Sequence, residues 1–228
     1  MNSNAVGITE GADPTVHDGW VSWVKAGRAA VLVTKMPRLL LPRVSAEDNV
    51  LVHCTITGLG GSVIEPNVDP TEVSLDYYHR FCRLLGSDRV VLRVDPIVYV
   101  DDDSVEALKA LVAEAEGKVR ISFVDAYPHV RIRFEAAGLA ALQSSFHMDY
   151  AVRRRVYEAL GRPEVCAEPG LPCIPCVGVK TCRVLGVKPS EARRGQRYYC
   201  SCLSNKVELC YPPPKCTYGC LYCYWRDR

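Results

Sequence analysis

The sequence predicts an α/β fold, a sheet of parallel strands with helices between them, followed by a cysteine-rich C-terminal region. Three observations carry this expectation. Four runs rich in Val and Ile show little of the two-residue alternation expected of a sheet with one wet face. Segments with helical spacing lie between them. Ten of the twelve cysteines fall between Cys166 and Cys223, in a stretch with many Pro and Gly and no clear period.

Taken in order, 29–35 reads as a buried strand, as do 50–57, 89–99 and 119–127. Trp20 to Ala26 reads as a helix. Residues 71–85 place Leu75, Tyr78, Cys82 and Leu85 on one face, and Gly86 ends the run. Residues 104–116 gather Val105, Leu108, Leu111, Val112 and Ala115, with Asp103 or Ser104 as cap and Gly117 as stop. A further helix is expected over 149–160, and a strand near 196–202. Strands alternating with helices imply parallel pairing through right-handed crossovers. Two units are expected: an α/β body over 1–160 and a cysteine-rich region over 161–228.

In such folds ligands gather at the carboxyl ends of the strands. Here those ends are polar. They carry Thr34-Lys35, then Thr55 and Thr57, then Arg93 and Asp95, then Ser122 and Asp125. Residues two apart on a strand share a face, so these side chains predict a pocket. The competing reading makes Arg93 and Asp95 a structural pair and Asp125 a turn cap.

Charge divides where the cysteines do. Residues 1–150 hold 14 Lys/Arg against 20 Asp/Glu, a net of −6, and 151–228 hold 14 against 6, a net of +8. A basic tail suits nucleic acid, and it equally offsets bound thiolate clusters. No apolar run is long enough to span a membrane. Met1-Asn2-Ser3-Asn4 does not open like a signal peptide, so a reducing, cytoplasmic setting is expected. There, many cysteines mean metal or iron–sulfur ligation rather than disulfides. Cys54 and Cys82, alone in the body, read as packing residues.

The C-terminal triplet Cys216, Cys220 and Cys223 has the spacing C-x3-C-x2-C, with Tyr222 before the third cysteine. Three thiolates this close can bind three irons of a cubane and leave the fourth open. A zinc site would pair two short loops. The nearest other C-x2-C, Cys173 and Cys176, is separated from Cys220 by 43 residues, which is wide for a zinc ribbon.

This triplet resembles the CxxxCxΦC signature of the radical S-adenosylmethionine (SAM) superfamily, where Φ is aromatic. The resemblance implies a [4Fe–4S] cluster on Cys216, Cys220 and Cys223, SAM on the open iron, Tyr222 against the adenine, and a reductant such as flavodoxin or ferredoxin. It also implies a partial (β/α) barrel. Most of the superfamily carries the triplet after its first strand; here it lies near the C-terminus, as if the barrel were circularly permuted. In this the chain is similar to a family of bacterial and phage proteins, domain-of-unknown-function family 1848. Thr34-Lys35-Met36-Pro37 resembles that family's T-K-N-P segment. Thr55-Ile56-Thr57-Gly58 with Glu65-Pro66-Asn67-Val68 resembles T-x-T-G…E-P-N-V. Arg93 to Ile97 resembles R-x-D-P-I, Ile121 to Asp125 resembles I-S-F-x-D, and Cys220 to Tyr224 resembles C-x-Y-C-Y. Asp13-Pro14 stands where the family has S-R-R-T-D-I-P, so most of that stretch is missing.

These likenesses make Arg93, Asp95 and Asp125 candidate catalytic residues. Thr34, Lys35, Thr57, Glu65 and Tyr222 become candidates for cofactor binding. Gly60-Gly61 before Glu65 is similar to the superfamily's SAM-amino segment, although a tight turn explains it as well. Cys166, Cys182, Cys200 and Cys202 recur in the resembling family and are the first candidates for a second site, an iron–sulfur cluster or zinc; Cys166, Cys173, Cys176 and Cys182 are the alternative set. The resemblance, with a distant likeness to spore photoproduct lyase, points to rearrangement or repair of a thymine base in DNA, as in a phage DNA-modification isomerase. Arg153-Arg154-Arg155 is a candidate phosphate contact or a solvated helix face. The competing function is a non-catalytic, metal-stabilised module that binds nucleic acid.

Overall fold

The computed structural model describes residues 4–193, 198–210 and 216–226. Seven strands form one parallel sheet: β1 (Val6–Ile8), β2 (Ala30–Thr34), β3 (Val50–Thr55), β4 (Val90–Ile97), β5 (Lys118–Phe123), β6 (Glu164–Val165) and β7 (Lys206–Glu208). Their order is β6-β5-β4-β3-β2-β1-β7, and the sheet curls into a half-barrel. The chain therefore steps outward from β1 to β6, then returns to lay β7 on the other side of β1. Both edge strands come from the cysteine-rich region.

Helices connect the strands: α1 (Gly19–Lys25), α2 (Pro37–Leu40), α3 (Thr71–Leu85), α4 (Asp102–Ala113), α5 (Pro128–Ala136), α6 (Tyr150–Ala159) and α7 (Val179–Val184). Helix α3 buries Tyr78, Phe81, Cys82 and Leu85, and Gly86 stops it at φ +83, where a side chain would be strained. Helix α4 starts two residues earlier than its periodicity implies, because Asp101 is the cap and accepts from the Ser104 amide at 2.8 Å.

Strand alternation sorts the core into layers. Leu32, Val52, Cys54, Leu92 and Ile121 face the helices with Trp20, Tyr78 and Phe81. The intervening residues Val31, Leu51 and Val91 face the concave side, where Cys176, Val177, Cys182, Leu185 and Cys202 pack on them. Part of the region expected to be loops thus fills the half-barrel. A third cluster caps the carboxyl ends of the strands and joins Ile64, Val124 and Phe134 to Tyr218, Cys220 and Tyr222.

Several expectations change. The strand expected near 196–202 is not found in its described part; the chain instead forms β7 at Lys206–Glu208. Two residues of the expected span, 196 and 197, lie outside the described residues. Strand β1 and helices α2 and α5 had no clear sequence signal, being short or poorly amphipathic. The Arg153-Arg154-Arg155 triplet is not a continuous phosphate-contacting face. Arg153 is buried and donates to Glu168 at 3.1 Å, to the Pro169 carbonyl at 2.8 Å and to the Met148 carbonyl at 2.8 Å. Arg155 donates to the Val100 carbonyl at 2.6 Å.

Candidate active site

A cavity of about 560 Å³ opens at the carboxyl end of the sheet. Ligand pockets commonly fall in this size range. Its wall is built strand by strand. The inner face of β4 runs from apolar Val91 through Arg93 to Asp95, so the strand is core at its start and site at its end. The same change runs along β2, from Val31 to Lys35 just beyond it, and along β3, from Leu51 to Thr55.

Lys35 is a cation held from three sides. Its Nζ lies 2.9 Å from Glu65 Oε1, 3.4 Å from the Asp95 carbonyl and 5.0 Å from the centre of the Tyr222 ring. The Tyr222 hydroxyl donates to the same Glu65 carboxylate. Burial opposes the Lys35 charge, yet Glu65, Cys220 and Asp95 together raise its pKa. Burial likewise pushes Glu65 up, but Lys35 and Tyr222 outweigh it and hold the carboxyl below its ordinary value. Glu65 reaches this place through a compact turn, in which Gly61, at φ +78, donates to the Glu65 carbonyl at 3.1 Å. Glu65 and Thr57 stand behind the wall rather than on it.

Arg93 and Asp95 are paired, with Nε 2.7 Å from Oδ2, and Ser122 donates to the other Asp95 oxygen. Burial disfavours the Arg93 charge, but Asp95 and the sulfurs of Cys166 and Cys176 hold it protonated. Asp125 meets His147 Nδ1 at 2.8 Å, so it is bonded to a side chain outside its own turn.

Cys216, Cys220 and Cys223 lie in the segment after β7, and all three line the cavity. Because β7 is an edge strand beside β1, this segment is carried over the strand ends that bear Lys35 and Arg93. Cys220 is pushed up to about 11 by burial, while Lys35 beside it pulls the other way. Thr34, Tyr222, Cys166 and Cys200 also line the wall, whereas Cys182 and Cys202 do not. Among the described residues, no three His, Cys, Asp or Glu side chains already converge as a ready-made metal-ion site.

One residue of the site was given no role by its sequence. Asp13 accepts from the Thr15 amide at 3.0 Å, the Lys35 amide at 2.7 Å and the Thr34 hydroxyl at 3.0 Å. It thus ties the loop after β1 to the end of β2. Burial raises its pKa against these donors. Thr15 in turn bonds the Tyr218 hydroxyl, which links Asp13 to the triplet segment. The only sequence signal for Asp13 was its position in the shortened S-R-R-T-D-I-P stretch.

A family model described as a domain of unknown function (DUF1848) matches residues 21–225. The chain belongs to the DUF1848 family. The matched stretch takes in β2 to β7 and the triplet, and leaves β1 and Asp13 outside. The departure at Asp13-Pro14 therefore falls where the family match has not begun. No curated protein and no solved structure matches the chain.

Proposed function

We propose that this DUF1848 protein is a radical SAM enzyme. The observation that carries the reading is the meeting of Cys216, Cys220 and Cys223 with the polar strand ends on the wall of one cavity. Three thiols on a cavity wall suit a [4Fe–4S] cluster whose fourth iron takes an outside ligand. SAM held there would supply, on one-electron reduction by the cluster, methionine and a 5′-deoxyadenosyl radical.

The chain's own residues then bind and orient. Lys35 and Arg93 present positive charge to the SAM carboxylate or to a substrate anion. Glu65 and Asp95 fix these two cations in place. Tyr222, anchored by its hydroxyl on Glu65, offers its ring to the adenine. Asp95 and Asp125 are the carboxylates placed to hold polar substrate groups.

For substrate we favour a thymine base of DNA that is rearranged or repaired. Tyr127 and Tyr224 stack at 5.7 Å and 27° on the cavity wall, beside Trp225, which suits a flat ring. The electron comes from a flavodoxin or ferredoxin, and the reaction belongs in the cytoplasm. A module that only binds nucleic acid has no need of a polar cavity. Incubation with modified and unmodified duplexes, SAM and dithionite, followed by digestion and nucleoside mass spectrometry, tests the substrate. A SAM-dependent change in a thymine-derived nucleoside supports it; unchanged nucleosides, or DNA binding without salt dependence, overturn it.

A further inference from the structure

Four other thiols make a chain of pairwise contacts on the concave side of the half-barrel, although among the described residues no three of them yet converge on one point. Cys166 directly follows β6, and its amide donates to the Ile121 carbonyl of β5 at 3.0 Å. Its Sγ lies 3.9 Å from that of Cys176. Cys176 is in turn a hydrogen-bond neighbour of Cys202, and Cys202 of Cys200. The two middle members are brought together by backbone, because the Leu203 amide donates to the Val177 carbonyl at 2.9 Å. Cys176 and Cys202 are each 1% exposed, while Cys166 and Cys200 reach the floor of the main cavity.

We infer that Cys166, Cys176, Cys200 and Cys202 form a second metal centre, a tetrahedral zinc site separate from the C-terminal triplet. The spacing of its first pair suits zinc. A tetrahedron with Zn–S bonds of about 2.3 Å has sulfurs about 3.8 Å apart, against 3.9 Å for Cys166 and Cys176. A cubane holds its thiolates much farther apart. The pairs Cys166–Cys176, Cys176–Cys202 and Cys202–Cys200 link the four sulfurs in sequence, and one ion would draw them together with loss of the thiol protons.

The surroundings are those of a thiolate site. Arg93 directs Nη1 to the Cys176 sulfur at 3.7 Å and Nη2 to the Cys166 sulfur at 4.0 Å, as a second layer of donors does around metal-bound thiolates. Lys206 and Arg120 are buried beside the same group, and among the described residues Arg120 Nε and Nη1 have no hydrogen-bond partner. Each of these cations also has a carboxylate partner, Asp95 for Arg93, Glu10 for Lys206 and Glu164 for Arg120, so they serve the sulfurs as hydrogen-bond donors and near charges within neutral pairs. Cys182 is left out because, among the described contacts, its sulfur lies against Asn205 Nδ2 at 3.6 Å and not against one of the four thiols. Cys173 is excluded because its sulfur is held between the Glu168 amide and carbonyl, at 3.1 and 3.3 Å. The set therefore differs from both combinations suggested by sequence: Cys176 stands in place of Cys182. Residues 166 and 176 come from one loop and 200 and 202 from another, so the ion would staple the plug inside the half-barrel.

The test uses the full chain carrying Cys216→Ala, Cys220→Ala and Cys223→Ala, which removes the triplet and so separates this site from the proposed radical chemistry. Plasma mass spectrometry should find about one zinc per chain, lost in a further Cys176→Ser or Cys202→Ser and kept in Cys182→Ala. Cobalt substitution of the triplet variant, with all four thiols intact, should give the absorption of a tetrahedral four-thiolate centre; this arm does not depend on how the cysteine variants fold. Absence of metal, a Cys166–Cys176 disulfide, iron and sulfide in place of zinc, or a cobalt spectrum with fewer thiolates would each overturn the assignment.

Discussion

Lys35 shows how one side chain can hold a site in tension. Its ammonium stabilises the nearly inaccessible Glu65 carboxylate, which also receives the Tyr222 hydroxyl. Lys35→Met should leave that carboxylate buried and uncompensated, at a cost of about 3–5 kcal/mol in chemical denaturation. Lys35→Met with Glu65→Gln should recover much of the loss, because the stranded charge is gone. His53 gives a second residue-scale prediction. It is 1% exposed, and burial, with Arg120 and Arg93 nearby, holds it well below its ordinary value of 6.5. The folded protein keeps His53 neutral while the unfolded chain takes up a proton below about 6.5. Stability from this group is therefore complete above that pH and declines as the pH falls below it. Melting curves between pH 7.5 and 5.5 should fall less steeply for His53→Gln than for the parent; equal slopes would contradict the assignment.

At the scale of elements, the β3–α3 connection is the part least tolerant of change. A Cβ on Gly60 would stand 2.0 Å from the Asp69 carbonyl oxygen, which is backbone and cannot swing aside. Gly60→Ala should destabilise the fold by about 1–3 kcal/mol and displace Glu65. Thermal melts read the first effect, and the affinity for SAM under the proposed function reads the second. The elements also differ in how well sequence announced them. Helix α3 was legible from its apolar spacing and Gly86, with bounds that match at both ends. Strands β2 to β5 were legible because residues buried on both faces leave runs of Val and Ile. Strand β7 was not, since three residues, Lys206 to Glu208, form it mainly by pairing with β1. Arg153 misled for a related reason: an arginine run looks solvated until tertiary packing supplies Glu168 and two carbonyls. The polar strand ends were readable as a pocket. That Thr57 and Glu65 stand behind Lys35 depended on a turn no local pattern specifies.

For the whole molecule, the order β6-β5-β4-β3-β2-β1-β7 is the central fact. It places the segment after the last strand next to the first, over the carboxyl ends of the sheet, and so brings the triplet to Lys35 and Arg93. The cysteine-rich region does two further things: it supplies both edge strands and fills the concave face. Its positive charge lies partly inside, as Lys206 shows by pairing with Glu10 within the barrel. The radical SAM reading depends on this convergence and not on the triplet alone. Its most direct test is release of 5′-deoxyadenosine from anaerobically reconstituted protein given SAM and dithionite, with and without candidate duplexes. The account predicts release that is lost in Cys220→Ala. A fully reconstituted protein, carrying about four irons at the triplet, that releases none under any of these conditions would contradict it.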